Sequence, residues 1–273
     1  MEGLYLYCIR EKTAAHSTFA IKGIEEKGEV FTIIFRDVEA VVSKVSLEEF
    51  SSEVIEKKTR EYLNWIKEKA LTHELVIEEA MSNKGEILSL IPMRFGTIFK
   101  EEATLKETLS NDYAKIAEVL ERIRHKQEWS VKAYLQDKSK FERLIKKQNE
   151  MIIEKEKEIA DLPEGLAFFM EEELKEIISG ELEKELNELT EDLFVRLGKY
   201  AVDSSKGKIL EKELTARDDP MVLNAAYLIS EEKVEDFKNA FARLNQYVQP
   251  NGVYLEHSGP WPVYNFTSYK KHD

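Results

Sequence analysis

Trp129-Ser130-Val131-Lys132-Ala133-Tyr134-Leu135 opens on an aromatic, alternates apolar with polar residues, and reads as a strand. The order of elements after it decides the fold. One helical stretch over about 138–160 carries Phe141, Leu144, Ile145, Met151 or Ile152, and Ile159 on one stripe. A second, over about 163–202, opens at Pro163, a residue suited to a first helical turn, and runs Leu166, Met170, Leu174, Ile177 or Ile178, Leu182, Leu186, Leu189, Leu193, Leu197 and Tyr200. Gly180 interrupts that stripe at a cost of about 1 kcal/mol relative to alanine, so a bend or break is expected there. Strands are expected over 207–216 and 221–229. Ser230 then caps a helix with Val234, Phe237, Phe241, Leu244 and Val248, and 252–257 forms the last strand. Strand, helical hairpin, two strands, helix, strand is the β-α-β-β-α-β order of a ferredoxin-like fold with its first helix enlarged.

Upstream, 3–9, 30–35 and 38–45 read as strands, the last two separated by Arg36-Asp37. Ile55, Thr59, Tyr62, Ile66, Ala70, His73, Ile77 and Ala80 mark an amphipathic helix with Ser51-Ser52 as N-cap candidates and Asn83 with Gly85 as its stop. A strand over 87–91 and a helix through Leu105, Leu109, Tyr113, Ile116, Leu120 and Ile123 come next. The expected fold class is α+β in two domains: a mixed α+β sheet domain over 1–126 and a ferredoxin-like domain over 127–273.

Two segments stand outside this periodicity. Ser258-Gly259-Pro260-Trp261-Pro262-Val263-Tyr264-Asn265-Phe266 brackets a tryptophan with prolines, which have a fixed φ and no N–H. Pro260-Trp261-Pro262 is therefore expected to turn the chain rigidly, and Pro260, Trp261, Pro262, Tyr264 and Phe266 read either as packing that anchors a terminus that would otherwise fray, or as a hydrophobic surface for a partner. In Ile91-Pro92-Met93-Arg94-Phe95-Gly96-Thr97, an apolar run ends in a cation, an aromatic and a turn glycine. Arg94, Phe95, Gly96 and Thr97 read either as a tight turn with Phe95 inward, or as an anion or nucleotide contact, or as a partner-binding edge.

These segments, together with Trp129-Ser130-Val131-Lys132, Asn224-Ala225-Ala226-Tyr227-Leu228-Ile229, Leu4-Tyr5-Leu6-Tyr7 and Ala40-Val41-Val42-Ser43, resemble the gas vesicle protein F/L family (GvpF/GvpL). The resemblance runs in order along almost the whole chain. Cys8 departs from it, standing where the family often has glycine, which puts a local turn in question. The long hairpin and the run after Glu128 lean toward the L branch. The resemblance implies two α+β domains, the second ferredoxin-like, and an accessory role in nucleation and growth of the vesicle shell. The implied partners are the small apolar wall protein and other accessory proteins.

Composition narrows the alternatives. A formal charge of −13 disfavours nucleic-acid binding, which needs a basic face. No apolar run approaches the roughly 18 residues of a membrane span, and the N-terminus lacks a signal-peptide pattern. A single cysteine suits a reducing compartment, so a cytoplasmic, gas-vesicle-associated protein is expected. No catalytic, cofactor or metal site is expected. His73 lies on an apolar stripe with no second ligand at metal spacing, and no G-x-S-x-G, Walker loop or G-x-G-x-x-G occurs. The competing class, an enzyme or sensor on a ferredoxin-like scaffold, predicts a pocket gathering Arg94 and His73; another places the chain in the finished shell as a structural component. Charge is also segregated. Eleven acidic residues lie between Glu164 and Asp192 against Lys175 and Lys184, a solvated face or a surface that steers a basic partner.

Overall fold

The computed structural model describes residues 1–13, 18–50, 54–55, 58, 62–83, 86–215 and 217–267. Ser51-Ser52, Thr59 and Gly85 lie outside them. The chain forms two compact units, one of residues 1–128 with 260–273, the other of residues 129–259.

In the first unit, β1 (Glu2–Glu11) is the central strand, and its eight interior residues are all buried. β2 (Val30–Phe35) and β3 (Val38–Ser46) form a hairpin whose two-residue loop, Arg36-Asp37, places Arg36 at a φ of 56°. β3 pairs antiparallel with β1, and Tyr7 is the extra residue of a β-bulge between Leu6 and Cys8. The turn in question at Cys8 is therefore a bulged but continuous strand. Helix α1 (Leu63–Met81) lays His73, Val76, Ile77 and Ala80 on a core with Tyr5, Tyr7, Cys8 and Phe50. A short hairpin of β4 (Ser82–Asn83) and β5 (Glu86–Ile87) comes next, and then β6 (Leu90–Pro92) and β7 (Ile98–Phe99) pair with the free side of β1. The strand expected over 87–91 is thus two separate pieces. The sheet order is β2-β3-β1-β6, with β7 also on β1. The single helix expected through 105–123 breaks at Asp112 into α2 (Glu102–Asn111) and α3 (Tyr113–Ile123), although Leu105, Leu109, Ile116, Leu120 and Ile123 are all buried as the stripe required.

In the second unit, β8 (Lys126–Leu135) leads into α4 (Lys138–Gln148) and α5 (Glu150–Ala160). The break between them corrects the expected single helix. Asn149 ends α4 and caps α5, its side chain accepting from the Ile152 N–H at 3.2 Å. α6 (Glu164–Gly198) then runs through Gly180 without interruption. A glycine inside an otherwise sound stripe lowers helix stability but does not end the helix when flanking turns are packed. The strand expected over 207–216 lies earlier, at β9 (Asp203–Lys206), with a helical turn α7 (Lys212–Thr215) after it. Asp-Ser-Ser-Lys has no strand propensity of its own; its antiparallel pairing with β10 (Met221–Ser230) makes it a strand. Ser230 makes no capping side-chain bond. One 3-10 turn intervenes before α8 (Val234–Val248), whose Val234, Phe237, Phe241, Leu244 and Val248 are buried. β11 (Val253–Trp261) runs on through Pro260 and Trp261, which corrects the turn expected at Pro260-Trp261-Pro262; Pro260 is tolerated because β11 is an outer strand of the order β11-β8-β10-β9.

Two glycines give opposite-signed tests of this packing. Gly252 has a φ of 84°, and a Cβ there would lie 2.4 Å from the Asp137 carbonyl oxygen. Gly252→Ala is expected to lower stability by about 2 kcal/mol or more, from backbone strain plus the forced shift of Asp137. A Cβ added at Gly180 would meet no atom within 4 Å, so Gly180→Ala is expected to add about 1 kcal/mol. Urea unfolding of the two variants checks both signs.

Candidate functional site

Tyr5 and Tyr7 on β1 bring their rings to 4.8 Å, and His73 of α1 stands 5.6 and 5.7 Å from them. Burial demands that each polar tip find a partner. His73 Nε2 lies 3.1 Å from the Met93 carbonyl, so that nitrogen carries the proton and donates. Nδ1 is then the acceptor for the Tyr5 hydroxyl at 3.0 Å, and the same hydroxyl accepts from the Gly96 N–H at 2.9 Å. Tyr7 meets Ser43 Oγ at 2.8 Å and accepts from the Ile24 N–H at 2.7 Å.

The segment 94–97 is built onto this network. Gly96 takes a φ of 81°, and the Thr97 hydroxyl and N–H both donate to the Arg94 carbonyl, at 2.7 and 3.2 Å. Met93 N–H donates to the Tyr7 carbonyl and Leu6 N–H to the Thr97 carbonyl, so the turn is stitched to β1 on both sides. Phe95 is half-buried with its ring 5.8 Å from His73. Arg94 is exposed. The Gly96 and Thr97 N–H groups, candidates for cradling an anion, are already engaged within the protein.

The tail divides differently from its aromatic count. Pro262, Val263 and Phe266 are buried, whereas Trp261 and Tyr264 are 40% and 38% exposed. Polar groups do the fastening. The Tyr264 hydroxyl donates to the Glu74 carboxylate at 2.8 Å, the Asn265 N–H and side-chain amide donate to Glu128 at 2.9 and 2.6 Å, and Arg122 donates to the Phe266 carbonyl. Residues 260–267 thus pack with the first unit, where the sequence expectation placed them with the second. Sequence reading missed Glu74, Glu128 and Arg122 as their receptors. The available signal was Glu128, a charged residue beside Trp129 in a strand where both side chains are buried.

Burial holds the His73 pKa down at about 4. The unfolded chain, with its histidine near 6.5, then binds more protons than the folded one between those values, so His73 draws stability down as pH falls from about 6.5 toward 4. The full effect is roughly 3 kcal/mol. Glu74 and Glu128, both held above the usual carboxylate range by burial, titrate in the opposite sense. Subtracting a His73→Gln variant isolates the histidine: the wild type should lose stability more steeply than the variant between pH 6.5 and 4.5 in urea unfolding. Parallel curves would refute the neutral buried imidazole.

His73 has both ring nitrogens bonded to protein and Arg94 is exposed, so the two do not form a free acid–base pair. Among the described residues no group of three or more His, Cys, Asp or Glu is placed to hold a metal, and no helix is long and apolar enough to cross a membrane.

Comparison with known proteins gives consistent likenesses. The family described as gas vesicle synthesis protein GvpL/GvpF matches residues 3–268. Gas vesicle protein L1 of Halobacterium salinarum is 24% identical over 270 residues, covering 97% of this chain and 90% of that protein. Gas vesicle protein F1 of the same organism is 23% identical, covering 97% and 92%. The one-point margin supports the L branch only weakly, in the direction of the sequence lean. The crystal structure of GvpF from Anabaena sp. PCC7120 superposes with a TM-score of 0.70 at 18% identity, covering 100% of this chain and 99% of that one. GvpF from Microcystis aeruginosa gives 0.66 at 17%, covering 98% and 99%. The mixed α+β fold is therefore shared with both.

Proposed function

The chain belongs to the gas vesicle synthesis protein GvpL/GvpF family, and from that premise we propose that it is a non-enzymatic accessory protein of gas vesicle assembly. It binds the small apolar wall protein and other accessory proteins while the shell nucleates and grows. The observation that carries this reading is the family match over nearly the whole chain, both units included. A wall subunit with a gas-facing surface is aggregation-prone in water, and a partner that masks that surface before insertion answers the need.

Arg94–Thr97 and Pro260–Phe266 act in this reading as internal fasteners of the first unit. Their polar groups are engaged by β1, α1 and Glu128, which supports that role over a docking one. The outer edge of β2, where Ile34 is 39% exposed, is the first surface to test for strand addition by the wall protein. The second unit is read as ferredoxin-like with an enlarged hairpin; its sheet order β11-β8-β10-β9 and its strand–helix sequence support that description.

The test is co-expression with each gas vesicle protein encoded alongside this chain, one at a time, followed by affinity capture. Retention of the wall protein or an accessory protein through a salt wash is the expected outcome. Capture of none of them would refute the assembly role.

A further inference from the structure

The free end of the helical hairpin carries an exposed apolar cap that the fold does not use. α6 faces its own core with Leu174 and Ile178, and Ala167 packs partly against the same cluster. Leu166, Phe168 and Phe169 are 51%, 60% and 72% exposed, and the two phenyl rings meet edge to face at 5.9 Å. Adjacent helical residues point about 100° apart, so one phenylalanine off the core stripe is ordinary; a contiguous exposed pair with a leucine beside it is an anchor-type surface. One turn further on stand Glu171, Glu172 and Glu173, then Glu176, all exposed. Lys175 lies 2.6 Å from Glu172, and Lys155 lies 3.7 Å from Glu173. From Glu164 to Glu176 there are five acidic residues against Lys175.

We propose that this tip docks a basic amphipathic helix of a partner gas vesicle protein, its apolar face on Leu166, Phe168 and Phe169 and its lysines or arginines against the glutamate collar. The inference rests on the assembly reading for the partner's identity and on charge complementarity for its chemistry. A second copy of this chain is the wrong occupant, because a two-fold contact through the same patch opposes two acidic collars. An anionic membrane surface is disfavoured for the same reason. The stretch from Phe169 to Glu176 spans roughly 10 Å, matching two turns of a docked helix. Cations held over the phenyl faces would add to the collar contacts.

The test uses the full chain and a Phe168→Ser/Phe169→Ser variant, which changes only exposed side chains. The probe is a labelled 18-residue amphipathic helix with leucines on one face and lysines on the other, read by fluorescence anisotropy. A twin peptide with glutamates for lysines is the control. The lysine peptide should bind the wild type, lose at least tenfold in affinity to the variant, and weaken as salt rises; the glutamate peptide should not bind. Equal binding to wild type and variant, or equal binding of the two peptides, overturns the proposal, as does variant-sensitive binding to vesicles rich in anionic lipid. The capture experiment separates the two claims. If the wild type and the variant retain the same gas vesicle protein equally, the tip is not the site while the assembly role stands. If the wild type retains none, the assembly role fails and the peptide result alone decides the tip.

Discussion

A chain ending at Gly259 is expected to lose its first unit and keep its second. Truncation there removes Val263 and Phe266, which are 4% exposed each, and leaves the Glu128 carboxylate, itself 4% exposed, without the two donors of Asn265. Losing a buried phenylalanine costs about 3–5 kcal/mol, and an orphaned buried acceptor about 1–3 more. Those sums are comparable with the whole stability of a domain of this size. Hydrogen exchange reads the result by region: amides of β1, β3 and α1 should exchange rapidly, while those of α6, α8 and β10 stay protected. Phe266→Ala in the full chain should show the same pattern in milder form. Protection retained in β1 after truncation would remove the tail from the first unit's structure and free its residues for an external partner.

The second large effect is expected at Arg10 and Glu39, which face each other across β1 and β3 and are both 2% exposed. Arg10 Nε donates to Glu39 at 2.8 Å and Nη2 lies 2.7 Å from the same oxygen, while Nη1 donates to the Ala80 carbonyl of α1. One guanidinium thus ties two strands to a helix. Glu39→Ala leaves a cation buried without its counter-charge, which costs about 3–5 kcal/mol. Arg10→Met with Glu39→Leu removes both charges and should recover most of that loss, since a buried pair is worth little against apolar residues of similar volume. Urea unfolding of the two variants settles it. A Glu39→Ala loss under about 1 kcal/mol would mean that water reaches the pair.

Periodicity reported the large elements well because burial imposes it. The stripe of α6 and the apolar face of α8 are visible as spacing, and Leu174, Ile178, Leu182, Leu193 and Leu197 are found inside as the spacing required, whereas Leu166, at the start of the stripe, is 51% exposed. What spacing could not carry were local breaks, one of them set by the capping side chain of Asn149. Asn149 and Asp112 each interrupt a stripe whose apolar positions continue in phase on both sides, so the pattern reads straight through them. β9 was hidden because its pairing with β10, not its composition, makes it a strand. The prolines suggested a turn at Pro260-Trp261-Pro262, yet β11 runs on through Trp261, and the tail's receptors were not legible either: Glu74, Arg122 and Glu128 lie 137 to 190 residues away for their respective hydrogen bonds. Phe168 and Phe169 do not stand out in the sequence, because they fall off the leucine stripe in an acidic helix.

Because the first unit is closed by residues 260–267, it cannot be completed until that segment has been synthesised. On a ribosome the strands and helices of residues 1–128 emerge first but must wait, while the intervening unit has all of its own sequence available earlier. The unit that begins the chain thus needs the residues that are synthesised last, and a product lacking them has β1 and its aromatic network unsealed. A polypeptide that stops short of that closing segment is therefore expected to leave residues 1–128 unfinished even where residues 129–259 are complete.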